Sequence, residues 1–253
     1  FLMMSQNKLN YVLFMADTNL ILAQRNAEWC GHGPVLEQDI AITNITLDLL
    51  GQARNFYQYA ASLINQSARQ PIEATEDSLA NLRTEREFKN LLLCELPNGD
   101  WAQSILKLFF FSAYTQLLYT QLQHSKYDRI AAIAQKSLKE TNYHLRWSSE
   151  WVIRLGDGTE ESNQRIKNAL TYLWPFTGEM FVAADFEDEI DLEGIKDKWQ
   201  QKIHAVLSEA TLAVPDMQML MQSGGKQGIH TEHMGYILAE MQYLQRTYPG
   251  AEW

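Results

Sequence analysis

The stretch KETNYHLRW, residues 139–147, sets Glu140 four residues before His144, and NITLD, residues 44–48, sets Asn44 four residues before Asp48. Four residues of helix turn 400°, so each pair leaves one face about a turn apart. A carboxylate and an imidazole so placed could share a metal ion. They could equally hydrogen-bond each other or a third group. The seam Ile130, Ile133, Ser137, Glu140, His144, Trp147 and Trp151 brackets the second pair with apolar residues and predicts that it faces inward. Asn44 and Asp48, among Ile40, Ala41, Leu47 and Leu50, read the same way. Buried polar groups need partners, so Asn44, Asp48, Glu140 and His144 are expected to form an internal polar cluster.

A carboxylate-bridged di-iron bundle takes one Glu from each of two helices and a Glu-x-x-His from each of the other two. The long helical stretches here are 6–29, 36–65, 101–124 and 127–155. The first offers Asp17 and Glu28, and the second contains no histidine. From Trp101 to Tyr127 there is no Asp or Glu. The fourth has Glu140 and His144 at four-residue spacing, with Tyr143 where the motif wants His. At least two ligands are missing, so no metal ligands are assigned, and the four polar residues are expected to be a vestige of such a site.

Other reactive-looking stretches are weaker. GIHTEHMG (228–235) groups His230, Glu232 and His233, but without the HExxH spacing or the three to four ligands that zinc needs; Thr231 as a helix N-cap is the simpler reading. SGGKQG (223–228) lacks the spacing of a phosphate-binding loop and follows no strand, and reads as a flexible loop. In MQMLMQ (217–222), Met217, Met219 and Met221 suit core filling or a partner surface equally.

The elements that must position these residues are helical. Apolar residues recur at three- and four-residue spacing over 6–29, 36–65, 80–95, 101–124, 127–155, 160–181, 194–212 and 231–247. Asp100 with Gln103, Ser125 with Asp128, and Thr159 before Glu160 and Glu161 read as helix starts. Gly and Pro total 19 and cluster at a few turns. The expected fold is a single all-α domain over 1–253, a four-helix core with extra helices packed on it, to which residues 1–5 need not contribute. The 253 residues are 46% hydrophobic and 21% charged, with net charge −10. That acidity argues against nucleic acid as the main partner. Cys30 and Cys94 form no framework and are expected to be free buried thiols. The most apolar patch, LFFFSAY (108–114), is too short to span a membrane. FLMMSQNK at the start has no basic region or cleavage site of an export signal, and the expected location is the cytoplasm.

Four segments, EWCGHGPVLEQDIAITNITLDLLGQARNFYQYA (28–60), LLLCELPNGDWA (91–102), KETNYHLRWSSEWVIRLGDGT (139–159) and GGKQGIHTEHMGYILAEMQYLQR (224–246), resemble the C subunits of bacterial phenylacetyl-CoA epoxidases. The likeness runs from about residue 8 to Trp253. It implies a ferritin-like four-helix bundle with additional helices, in a multicomponent NADPH- and O2-dependent monooxygenase of phenylacetate breakdown. In that family the A subunit holds the di-iron centre and the CoA thioester, a separate reductase takes electrons from NADPH, and the product is a ring 1,2-epoxide. The resemblance further implies a heterotetramer with two copies each of the A and C subunits, besides other subunits of the complex. No catalytic or cofactor-binding residue carries over to this chain, which is expected to be inactive alone. The rival readings are a ferritin-like metalloenzyme drawing on Asp48, Glu140 and His144, and an iron-handling bundle with an atypical site.

Overall fold

A computed structural model describes residues 2–67, 73–215 and 220–251, and among these no strand is present. Ten α-helices follow in order: α1 (Leu2–Ala27), α2 (Leu36–Ser67), α3 (Glu76–Asn81), α4 (Leu92–Glu95), α5 (Trp101–Leu122), α6 (Asp128–Gly156), α7 (Glu160–Leu173), α8 (Leu192–Glu209), α9 (His233–Met241) and α10 (Tyr243–Thr247). The chain divides into two compact units, one of residues 1–97, 184–188 and 224–253, the other of 98–183 and 189–223.

In the first unit α1 and α2 pack along each other as a hairpin. Residues 11–23 of α1 are buried on every side, as a helix covered all round must be. The inward face of α2 is Ile42, Ile45, Thr46, Leu49, Gln52, Ala53, Phe56, Tyr57, Ala60 and Ala61. This corrects the face assigned from sequence, because Ile40 and Leu47 point outward.

The single helix expected over 80–95 is broken. α3 stops at Asn81, and a 3-10 turn over Glu85–Glu87 follows. Thr84 starts that turn, its amide and hydroxyl donating to Glu87 at 2.7 and 2.6 Å. Residues 88–91 are non-helical. Phe88 N–H closes the 3-10 turn on the Glu85 carbonyl at 3.1 Å, and two of the amides that follow go to side chains of α1: Lys89 N–H donates to Asp17 at 2.9 Å and Leu91 N–H to Thr18 at 3.4 Å. Helical i to i−4 bonds are lost there because α1 offers better-placed acceptors.

In the second unit α5 packs on α6, α7 and α8, and residues 104–115 of α5 are all buried. Asp100 caps α5, accepting from Gln103 N–H at 2.9 Å. Thr159 and Ser162 form a capping box on α7. Ser125 does not cap α6: Tyr127 is the N-cap residue, and Ser125 Oγ only accepts its amide at 3.2 Å. The helix expected over 160–181 ends at Leu173, since Pro175 supplies no N–H; two 3-10 turns, Trp174–Phe176 and Gly178–Phe181, take its place. A core of rings fills this unit. Phe110 lies 5.8 Å from Trp174 and 5.7 Å from Trp199, and Phe181 5.3 Å from Trp199. Trp199 Nε1–H donates to the Phe110 carbonyl at 3.0 Å. Such contacts favour tilted and edge-on geometry, as found here.

Cys30 and Cys94 are free, but only Cys94 is buried; Cys30 is exposed in the turn after α1. No helix of the described residues is long and apolar enough to cross a membrane.

Candidate functional site

The buried ionisable groups of the first unit form its most organised polar feature. Asp17, fully buried on α1, binds the Arg83 guanidinium through both carboxylate oxygens. It also accepts Tyr57 Oη–H at 2.6 Å and Lys89 N–H at 2.9 Å. Arg83 in turn donates to the carbonyls of Leu79 at 2.6 Å and Glu87 at 2.9 Å, and its guanidinium lies 4.2 Å from the centre of the Phe88 ring. Burial acts against the guanidinium charge, yet Asp17 outweighs it and raises the Arg83 pKa. Burial and the Asp17 charge together push the Tyr57 phenol well above its ordinary value. Tyr57 is thus a fixed donor, and Asp17 is neutralised by a covalently attached cation.

A second acid, Glu95 at the end of α4, is fully buried. It accepts from Asn90 Nδ2 at 2.8 Å, Thr231 N at 2.9 Å and Thr231 Oγ1 at 2.7 Å. His230 Nδ1 meets it at 2.5 Å, while His230 Nε2 faces the Phe88 carbonyl at 3.1 Å. Both ring nitrogens therefore face acceptors, which suits the imidazolium form. Burial lowers the His230 pKa, but the hydrogen bond and charge of Glu95, helped by the Phe88 carbonyl and the Glu85 charge, turn the net shift upward. Thr231 is not the N-cap expected from sequence; Glu232 holds that position, and the Thr231 side chain serves Glu95.

Glu187 is the third acid. Buried Lys226 donates to it at 2.8 Å and stands 5.3 Å from the Phe14 ring centre. The segment carrying Lys226 is no loose loop. A Cβ on Gly225 would lie 2.1 Å from the Asn90 carbonyl oxygen, and one on Gly228, at φ +75°, 2.4 Å from that of Arg86. Only glycine allows the approach that brings Lys226 and His230 to their acids. Gln242, between α9 and α10, then donates to the Ala80 and Arg83 carbonyls at 3.2 and 3.0 Å. The helix expected over 231–247 breaks at that residue.

The residues singled out from spacing fall differently. Asn44 is exposed on the outer face of α2 and has no place in an internal cluster. Asp48 and Glu140 are half-buried, and His144 is buried with its ring edge-on to Tyr143. The buried stripe of α6 shifts at Ser137 to Thr141, His144, Ser148 and Val152, so Glu140, Trp147 and Trp151 lie on its shoulder. Glu28 pairs with Arg25 at 2.7 Å. Of the methionine stretch, Met217 and Met219 lie outside the described residues, and Met221 packs against Gly178.

A di-iron ligand set does not fit these residues. Asp17, the buried carboxylate of α1, already has its oxygens on a guanidinium, a phenol and an amide. α5 contributes no carboxylate at all. Among the described residues no group of three or more His, Cys, Asp and Glu could hold a metal ion.

The all-helical architecture is ferritin-like. Within that class, the chain belongs to the phenylacetic acid catabolic protein family, whose model matches residues 3–253. It is similar to the C subunit of the 1,2-phenylacetyl-CoA epoxidase of Escherichia coli (strain K12), with 47% identity over 250 residues, 96% of this chain and 98% of that protein.

Proposed function

We propose that this chain is a non-catalytic structural subunit of a multicomponent phenylacetyl-CoA 1,2-epoxidase. The observation that carries the reading is the match to a C subunit over nearly the full length of both chains; in this reading the two compact units are parts of one ferritin-like domain over 1–253. The Asp17 site supports it from the chemical side. The buried carboxylate that α1 offers, Asp17, is held by Arg83, Tyr57 and the Lys89 amide. The chain therefore supplies packing surface rather than redox chemistry. In this reading a catalytic A subunit holds the di-iron centre and the CoA thioester, two copies of each chain make a heterotetramer, and a separate reductase takes electrons from NADPH. The setting is the cytoplasm. Asp48, Glu140 and His144 are structural, and none is catalytic.

Reconstitution tests this. The A subunit, reductase, NADPH, O2, phenylacetyl-CoA and any further subunit are assayed with and without this chain. Epoxide formation should require the chain, and the chain with the reductase alone should form none. Full turnover in its absence contradicts the proposal.

A further inference from the structure

The outer face of α2 is built as if something lay on it. Counting 100° per residue, Leu36, Ile40, Asn44, Leu47 and Gly51 fall within about 80° of one another, opposite the buried seam of Ile42, Ile45, Leu49 and Phe56. Leu36, Ile40 and Leu47 are 72%, 52% and 60% exposed. Further along the same face the chain covers itself: Arg54 and Gln58 reach Glu76 at 3.4 and 3.1 Å, and Asn65 holds the Ala74 backbone. The apolar stripe stops where that cover begins.

Gly51 supplies a second, independent observation. It sits in the middle of a 32-residue helix, where glycine is the poorest choice after proline. Nothing among the described residues requires it, since a Cβ there would meet no atom within 4 Å. A bare backbone on an apolar helix face is what a second helix needs to approach closely.

Charge selects the occupant. Beside the stripe stand Glu37, Asp39 and Asp48, and the first basic residue further along the face, Arg54, is already paired with Glu76 at 3.4 Å. A second copy of this face would set carboxylates against carboxylates. Resting on the structural-subunit reading above, we infer that the face Leu36–Ile40–Leu47–Gly51 is a docking surface for a helix of the catalytic subunit, apolar along its centre and flanked by Lys or Arg. Asn44, in the middle of the stripe, offers a polar group that fixes the register of the two helices.

The test is sedimentation velocity on the full chain titrated with the catalytic subunit from the same organism, comparing wild type, Gly51→Leu and Leu47→Lys. Each variant should bind at least about tenfold more weakly, and binding of the wild type should weaken with added salt. Thermal melting of Gly51→Leu alone should be no lower than wild type, because the added side chain has room. Should that variant fail to fold, Leu47→Lys, on an exposed position, decides alone. Equal binding by wild type and variants overturns the inference and leaves the structural-subunit reading intact. No binding by wild type overturns that reading. A wild-type dimer broken by the variants shows the occupant to be a second copy and overturns the choice made here.

Discussion

The two compact units fill their interiors with different emphasis. The first encloses Asp17, Glu95 and Glu187 and gives each a cation from a segment outside α1 and α2: Arg83 from the α3–α4 connection, His230 and Lys226 from the stretch before α9. The second builds its centre from the rings of Phe110, Trp174, Phe181 and Trp199, with buried Lys107 and Glu179 beside them, Lys107 donating to Asn98 Oδ1 at 3.2 Å. Rings tolerate small shifts, because dispersion and burial fall off gradually. A buried carboxylate does not, because an unmatched charge in a low-dielectric interior is costly. The Asp17–Arg83 pair therefore fixes the segment after α3 on α1, Glu95–His230 ties the stretch before α9 to α4, and Glu187–Lys226 ties that stretch to residues 184–188.

The sharpest way to break this contrast is at Asp17. Arg83→Leu should cost about 3–5 kcal/mol, since it strands a buried carboxylate. Asp17→Leu combined with Arg83→Leu should cost clearly less than the sum of the single changes. Urea unfolding of the three variants measures this, and additive losses would show the pair to be uncoupled.

His230 sharpens the contrast through pH. Its pKa is raised above the ordinary value of 6.5. The stabilisation it gives is thus fully present below that value and fades as pH rises through the folded pKa. His230→Gln should cost about 1.5–3 kcal/mol in mildly acidic buffer, as expected for hydrogen bonds to a charged group. The gap from wild type should narrow as the buffer is made alkaline. Thermal melts across pH 5.5–9.5 read this out, and a gap that widens with pH contradicts the imidazolium assignment.

The smallest effect belongs to the aromatic core. Trp199→Phe keeps a ring in place and loses chiefly the bond to the Phe110 carbonyl, so about 1–2 kcal/mol is expected. A loss as large as that of Arg83→Leu, in the same urea experiment, would erase the distinction between the units.

Much of this architecture was legible in the sequence, because helix periodicity and caps are local. The long helices, the Asp100 and Thr159 caps and the carboxylate-free α5 could all be read from neighbouring residues. The ion pairs could not, since Asp17 and Arg83 are 66 residues apart and Glu95 and His230 are 135 apart. Arg83 inside a helical pattern gives no sign that it will break the helix to reach α1. α2 misled for another reason: it carries two apolar faces, and Ile40 and Leu47 have the same spacing as the true seam.

The interior acids Asp17, Glu95 and Glu187 are held by the chain's own cations, and the chain is expected to contribute structure rather than redox chemistry. Elemental analysis tests this most directly, on chain purified without chelator and again after anaerobic incubation with Fe(II) followed by gel filtration. Iron should stay far below one atom per chain in both samples. Stoichiometric iron retained through gel filtration, and lost in a variant of Asp48, Glu140 or His144, would contradict it.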